Sequence, residues 1–411
     1  MMTARLSAQT LALVDEAAVP GYDRHVRPTI AHLGVGAFAR AHVGTYADDL
    51  LERGWPAAIR GVSLRGRTAE DQLGPQDGLY SIAEREPDGE EPLRVVGSIV
   101  SVATGVDAAV DAIASPDTSL VTLTVTEKGY EAGGPALDVL VRGLDRRRRA
   151  GLPPPVVASL DNVFDNGDVL RAGVAAVADP PLAGWIAEEV PFPSSVVDRM
   201  VPATTPADLV AIAERLGVTD AAAVLAERHR SWVISGVDGL PPLEQVGVEV
   251  VADVESFQRR KLWLLNGPHS ALAYCGLLAG CTTIAEAAQH PVVEPFVRAL
   301  LDDVLEVADV PDGANFAADA LRRFRNASLG HTCLQVGVDG SRKLPQRLLP
   351  VVERRRAEGR STWRFAVVVA AWLAAVDRVG DVVPEGILDA EITAAAGRLD
   401  RLGLRVLEEE T

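Results

Sequence analysis

At 411 residues the chain is too long for one small hydrophobic core, so two domains are expected. Hydrophobic residues make up 48% and charged residues 24%, the balance of an ordinary soluble globular protein, and no apolar run approaches the roughly 20 residues that cross a bilayer. The net charge of −17 argues against nucleic acid as a partner, and an anionic ligand would need a locally positive pocket rather than a positive surface.

The first ten residues, Met-Met-Thr-Ala-Arg-Leu-Ser-Ala-Gln-Thr, lack the apolar centre of a secretory signal, so a cytoplasmic protein is expected. Residues 6–18 carry a short helical pattern that Pro20-Gly21 breaks. Residues 29–33 then read as a strand running into Gly34-Val-Gly36-Ala37-Phe38-Ala39, with a helix over 41–51. With Ala39 at the third position this is G-x-G-x-x-A between a strand and a helix, the context a dinucleotide fingerprint requires. Gly34 permits the tight turn, Gly36 lets backbone approach a pyrophosphate, and the helix N-terminus faces the phosphates, with Ala37 and Phe38 of the same stretch as further cofactor candidates. A second strand, 58–64, follows where such a fold puts it. The acidic residue that would hold the ribose hydroxyls of NAD is missing from its end, and Arg65-Gly66-Arg67 stands there instead. Arg65 is therefore a cofactor candidate, with NADP as the alternative to NAD.

Residues 77–82 and 93–100 read as a hairpin added antiparallel to the sheet. Residues 119–126, rich in β-branched side chains, read as a strand buried on both faces. It ends in Thr126-Glu127-Lys128, at the carboxyl edge where such sheets bind ligands, which makes these three cofactor candidates. Residues 155–160 form another buried strand, and Asn162 just beyond it places an amide at the same edge. A short strand over 191–199 closes in Asp198-Arg199, an acid–base pair that at a surface would stabilise little.

From about residue 240 the alternation of strand and helix gives way to helical patterns, over 271–278, 284–288, 292–307, 317–324, 362–376 and 387–402. The domain change is placed at Asp238-Gly-Leu-Pro-Pro242. The fold class is therefore α/β: a Rossmann-like doubly wound sheet over 1–239, the dinucleotide-binding domain, followed by a mostly α-helical substrate domain over 240–411.

The chemistry is placed in Arg260-Lys261-Leu-Trp-Leu-Leu-Asn266-Gly-Pro-His269. On an α-helix Asn266 lies about 140° and His269 about 80° from Lys261, so one arc can hold an amine, an amide and an imidazole above an apolar underside. Pro268 sits best at a helix start, so Asn266 either ends one segment or caps the next. The plainer reading is a snorkelling lysine, a capping asparagine and a half-buried histidine. Cys275, Cys281 and Cys333 show no C-x-x-C spacing and are odd in number, so reduced thiols are expected, with neither a disulfide framework nor a zinc site. Later, Asp339-Gly-Ser-Arg342-Lys343-Leu-Pro-Gln-Arg347 reads as a Gly-Ser turn presenting three cations, a candidate anion grip in an acidic protein. Residues 353–360 form a charge cluster expected at a solvated helix end.

Ordered blocks along most of the chain together resemble the mannitol dehydrogenase family of polyol-specific long-chain dehydrogenases. They are Ile30-Ala-His-Leu-Gly-Val-Gly-Ala-Phe-Ala-Arg-Ala-His42, Gln76-Asp-Gly-Leu-Tyr80, Thr124-Val-Thr-Glu-Lys-Gly-Tyr130, Asp161-Asn-Val163, Val197-Asp-Arg199, Lys261-Leu-Trp-Leu-Leu-Asn-Gly-Pro-His-Ser270 and Asp339-Gly-Ser-Arg-Lys-Leu-Pro345. The resemblance implies metal-independent hydride transfer between NAD(H) and the secondary alcohol or ketone of an open-chain sugar derivative. It puts the catalytic lysine on Lys261, the two oxyanion-binding amides on Asn162 and Asn266, and the site histidine on His269. It sets Asp198 beside the site and lends Lys343 to the substrate. These roles suit the chemistry: hydride transfer builds negative charge on oxygen, which preorganised amides stabilise, and a lysine is a serviceable proton donor or base.

Departures are Gln258 where the better-known mannitol dehydrogenases carry Glu three residues before the lysine, and Gln335 where they carry Arg eight residues before the loop lysine. A block usually Glu-Pro-Phe reads Glu227-Arg-His, and the stretch after Tyr130 is shorter than usual. Gln335 with the Asp339–Arg347 block is more similar to the fructuronate reductase (D-mannonate oxidoreductase) branch. Arg342, Lys343 and Arg347 suit the carboxylate of a keto-uronate. The expectation is thus reduction of D-fructuronate to D-mannonate. Alternatives are a mannitol or arabinitol 2-dehydrogenase, and a non-catalytic nucleotide-binding sensor, against which the joint presence of Lys261, Asn162, Asn266 and His269 stands. The expected partner is a small sugar acid or polyol, with no nucleic acid or membrane, in a monomer or small homo-oligomer.

Overall fold

A computed structural model of the chain describes residues 4–86, 92–125, 127–130 and 134–382, with Glu127 and Lys128 described in backbone only. Thr126, the side chains of Glu127 and Lys128, and the helical pattern over 387–402 lie outside the described residues. Two compact units emerge, Met1–Val254 and Glu255–Thr411.

The apolar runs of the first unit become five strands: β1 (Ile30–Leu33), β2 (Ile59–Ser63), β3 (Ile99–Thr104), β4 (Leu120–Leu123) and β5 (Val156–Ser159). All pair in parallel in the spatial order β3-β2-β1-β4-β5. Every residue of β1, β4 and β5 is buried, as strands covered on both faces must be. Alternate side chains feed two cores. Ile30, Ile59, Leu120 and Val156 pack with Tyr46, Leu50 and Trp232 on one side. Ala31, Val62, Val121 and Val157 pack with Ile113, Leu140 and Val174 on the other. Strand order reverses between β1 and β4, so the loops after these strands diverge and leave a crevice at their carboxyl ends.

The antiparallel hairpin forms, Tyr80–Glu84 against Leu93–Val96, but in a separate four-stranded sheet with Ala17–Ala18 and Val224–Ala226. Only the residues after Gly97 and Ser98 rejoin the parallel sheet, as β3. The Asp48 carboxylate takes the Gly97 N–H at 2.8 Å and the Ser98 carbonyl takes the Ile59 N–H at 2.8 Å, which turns the chain at that point. The helical pattern over 6–18 shrinks to one 3₁₀ turn, Leu11–Leu13, because Leu6 is drawn into a small core with Leu216 and pairs its N–H with the Thr219 carbonyl. Ser231–Ser235 pairs with both Ser195–Asp198 and Glu249–Val251, which keeps residues 240–254 with the first unit.

The second unit is helical. Its axis is the run Glu255–Lys261, Leu262–Asn266 and Gly267–Leu278, the last buried along nearly its whole length. Val293–Ala308, Gly313–Phe324, Gly340–Arg347, Leu349–Ala357 and Trp363–Val379 are its other main helices. The charge cluster over 353–360 is not wholly solvated: Arg355 points inward, donating to the Asp303 carboxylate at 3.1 Å and the Ser361 carbonyl at 2.8 Å. No helix among the described residues is long and apolar enough to cross a membrane.

Candidate active site

The first unit contributes the crevice, a cavity of about 620 Å³ lined by the Gly34–Arg40 turn, by Ser63 to Gly66 after β2, by Thr124, and by Asp161 and Asn162 after β5. Gly34 has φ +100, and a Cβ there would lie 2.1 Å from the Thr124 carbonyl oxygen, so no other residue fits. At Gly36 a Cβ would meet nothing within 4 Å, which leaves the backbone open to the cavity. Ala37 and Phe38 begin a five-residue helix, Ala37–Ala41, that breaks at His42; the helix expected over 41–51 follows as Val43–Glu52. Arg65 sits exposed at the rim, and Asn162 is exposed at the opposite end.

Several residues around this crevice escape sequence reasoning. His32 is buried inside β1. Its Nε2 lies 3.1 Å from the Gly34 carbonyl, which can only accept, so Nε2 carries the proton and Nδ1 accepts from the Thr122 hydroxyl at 2.8 Å. The ring thereby props the glycine turn, and desolvation pulls its pKa from the ordinary 6.5 down to about 4. A histidine among four otherwise apolar strand residues was the available signal. Because the folded ring binds its proton more weakly than the unfolded one, acid favours unfolding. This contribution is whole above about pH 6.5 and declines toward about pH 4, by roughly 3 kcal/mol in total. Urea melts at about pH 7 and about pH 5 should record part of that loss, and His32→Gln should flatten the slope. An unaltered slope would remove His32 from the account.

Arg40 lines the crevice too, 9% exposed, with its Nε unpartnered among the described residues and only a 3.4 Å contact from Nη1 to Gln72. A buried guanidinium so placed is suited to an anion. Asp161 accepts from the Tyr130 hydroxyl at 2.9 Å and the Val125 N–H at 3.1 Å, and this ties the loops after β4 and β5 together. Buried Asn166 clamps the same edge, donating to the Asp161 and Ser195 carbonyls and accepting the Ser195 N–H.

Asp198 is buried, with the His229 Nε2 at 3.6 Å. Arg199 is buried as well and turns away to Glu84 at 2.8 Å, the Glu227 carbonyl at 2.9 Å and the Ala41 carbonyl, so the pair is no surface ion pair. Glu227 accepts the Met200 N–H at 2.7 Å, which makes the Glu227-Arg-His block a brace for Asp198-Arg199.

The second unit holds the rest. The chain stays helical through Lys261, Asn266 and His269, resolving whether Pro268 breaks the segment. Leu262–Asn266 forms a π turn in which the Gly267 N–H reaches back five residues to the Leu262 carbonyl. The wider turn accommodates Pro268, which has no N–H to give. With roughly 4.4 residues per turn it also rotates Asn266 to about 50° from Lys261, nearer than a regular helix would. Lys261 is buried, and Trp263, Leu264 and Leu265 form the apolar underside.

His269 stacks on Phe324, centroids 4.9 Å apart, with the His331 ring at 6.3 Å. Its Nε2 is buried and without a hydrogen-bond partner among the described residues. Desolvation first, then the charges of His331, Arg347, Arg323 and Lys343, hold its pKa well below the usual histidine range, so the ring is neutral. A neutral, sequestered imidazole with an unmet nitrogen is a group waiting for a hydroxyl or carbonyl.

The expected Gly-Ser turn is a helix, Gly340–Arg347, entered through Asp339 at φ 56. Asp381 holds its start by accepting the Ser341 N–H at 2.7 Å and the Trp372 Nε1–H at 3.1 Å. A Cβ on Gly340 would lie 2.4 Å from both Trp372 and Tyr274, so only glycine lets this helix dock. Lys343 and Arg347, one turn apart, share a face; Arg347 donates to the Ser270 hydroxyl at 2.8 Å and the Asn266 carbonyl at 3.2 Å. Arg342 is exposed and lies about 100° around the helix from Lys343, so the structure groups two of the three cations, not all of them. Gln335 is engaged in a capping box with Thr332, and Gln258 is buried one turn before Lys261.

Residues 28–245 match the mannitol dehydrogenase Rossmann domain, and residues 253–391 match the mannitol dehydrogenase C-terminal domain. D-mannonate oxidoreductase of Escherichia coli is 38% identical over 89% of this chain and 84% of its own length. Mannitol 2-dehydrogenase of Pyrenophora tritici-repentis is 37% identical over 90% and 73%. Among solved structures, Pseudomonas fluorescens mannitol 2-dehydrogenase in a ternary complex with NAD and D-mannitol superposes with a TM-score of 0.84, at 32% identity over 97% of this chain and 90% of that one.

Proposed function

The chain belongs to the mannitol dehydrogenase family, and on that premise we propose that it is an NAD(H)-dependent oxidoreductase of CH–OH groups that interconverts a keto-uronate and its open-chain alcohol, D-fructuronate and D-mannonate. The nucleotide fits the crevice on its own terms: Gly34 and Gly36 clear the backbone, and Arg40 offers a buried cation to the phosphates. When bound, it supplies or accepts the hydride.

The remaining work falls to this chain's residues. Lys261 gives a proton to the substrate oxygen in reduction and takes it back in oxidation. The amides of Asn162 and Asn266 donate to that oxygen as it gains charge. His269, held neutral, orients a neighbouring hydroxyl through Nε2, and Asp198 accepts from another. The observation that carries the uronate reading is the pairing of Lys343 and Arg347 on one helix face, with Arg347 reaching the hydroxyl of Ser270, the residue next to His269. Such a positive end suits a carboxylate in a chain of net charge −17.

A polyol substrate is the second reading. The mannitol 2-dehydrogenase relative is nearly as similar as the mannonate enzyme, and Arg347 already donates to Ser270 and Asn266, as a site for a neutral sugar would have it. Lys343→Ala separates the two. Removing one charge-assisted contact should raise KM for D-fructuronate by about 10- to 100-fold and KM for D-fructose by less than about threefold. Nicotinamide absorbance in steady-state assays reads both. Equal effects on the two sugars would remove the carboxylate assignment.

A further inference from the structure

One cation in the crevice has no part in the proposed reaction. We propose that Arg65 binds a phosphate ester on the 2′ position of the adenosine ribose, so that the crevice takes NADP(H) as well as NAD(H). In a sheet with this strand order, the residue just beyond the second strand meets the ribose of a dinucleotide lying along the crevice. β2 ends at Ser63, and Arg65 lines the cavity there with Ser63, Gly66 and Thr68.

A carboxylate at this point would accept the 2′-hydroxyl and repel a phosphate. Among the described residues lining the crevice the sole carboxylate is Asp161, which follows β5. β5 lies three strands from β2, or roughly 14 Å at the ordinary strand spacing. Asp161 is also occupied by the Tyr130 hydroxyl and the Val125 N–H. Arg67, two residues from Arg65, is committed elsewhere, 3.2 Å from Glu70 and 3.7 Å from Asp71. Arg65 itself makes neither ion pair nor hydrogen bond among the described residues. Its planar fork thus remains open to a bidentate phosphate, with the Ser63 and Thr68 hydroxyls lining the same end. Nothing there excludes the unphosphorylated ribose, so NAD(H) is retained.

Binding can be read directly by titration calorimetry on the full chain, whichever sugar it turns over. NADP⁺ should bind within about tenfold of NAD⁺, and 2′-AMP should bind more tightly than 5′-AMP. Arg65→Ala should weaken NADP⁺ and 2′-AMP at least about tenfold while moving NAD⁺ by less than about twofold. Arg67→Ala, the control for general loss of positive charge, should move neither. Arg65 is exposed, so the variant should keep the wild-type melting curve. An NADP⁺ affinity lower than that of NAD⁺ by about a hundredfold, or an Arg65→Ala effect equal on both nucleotides, would overturn the assignment. Neither result would touch the sugar reading, which is tested on the other half of the reaction.

Discussion

Lys261→Ala is expected to lower kcat by about 10³-fold while leaving the dissociation constant of the nicotinamide cofactor within about twofold of wild type. The two effects separate because Lys261 belongs to the helical unit whereas the nucleotide crevice is built from the first unit alone. A general acid–base group contributes in the transition state, when the proton moves, so its loss appears in kcat more than in ground-state binding. Lys261 is only 8% exposed, and alanine would leave a gap, so Lys261→Met serves as the companion that keeps the packing. The methionine variant should melt normally, and small primary amines in the buffer should restore part of the rate to the alanine variant. A Lys261→Ala enzyme with unchanged turnover would dismiss the lysine from the chemistry.

Gly34→Ala is expected to cost about 3 kcal/mol or more of stability and to abolish cofactor binding. Two penalties coincide: φ +100 is strained for any residue with a Cβ, and that Cβ would overlap the Thr124 carbonyl of the adjacent strand. Relief requires moving β4 away from β1, which opens the crevice at its floor. Gly36→Ala makes the contrast. Its Cβ would meet no protein atom, so the variant should fold like wild type yet bind NAD⁺ at least about tenfold more weakly, because the methyl group enters the space the pyrophosphate needs. Thermal melts and cofactor titrations on both variants decide it. Equal behaviour of the two would mean that the turn plays no special part.

How much was legible in the sequence depended on how far each residue's partners lie along the chain. The parallel sheet could be read because doubly buried strands are continuously apolar whatever their neighbours. The hairpin's true sheet could not: Ile82 pairs with Val224, a partner far off in sequence with no local signature. Lys261, Asn266 and His269 stand out as polar groups in an apolar run, yet their mutual geometry is not legible there. Pro268 leaves open whether the helix continues past Asn266, and the run of leucines gives no hint of a π turn. Arg354, Arg355 and Arg356 are chemically alike, and only packing sends the middle one inside. His32 and Arg199 are props of the crevice and of the Asp198 loop through partners far off in sequence, Thr122 and Glu84.

The π turn has a consequence for how this segment can change over generations. The angular relation of Lys261 to Asn266 is set by a count of residues rather than by their identity, since the turn is one residue wider than the α-helix on either side of it. Exchanging Leu262 or Leu265 for another apolar residue adjusts packing by degrees. Gaining one position between Lys261 and Asn266 swings the amide around the axis by about 80° in a single event, whereas losing one restores a regular α-turn and leaves the amide about 40° from the lysine. Drift in this stretch is therefore tolerant of spelling and intolerant of insertion, and descendants with an added residue here would keep a folded helical unit while losing the chemistry at one stroke.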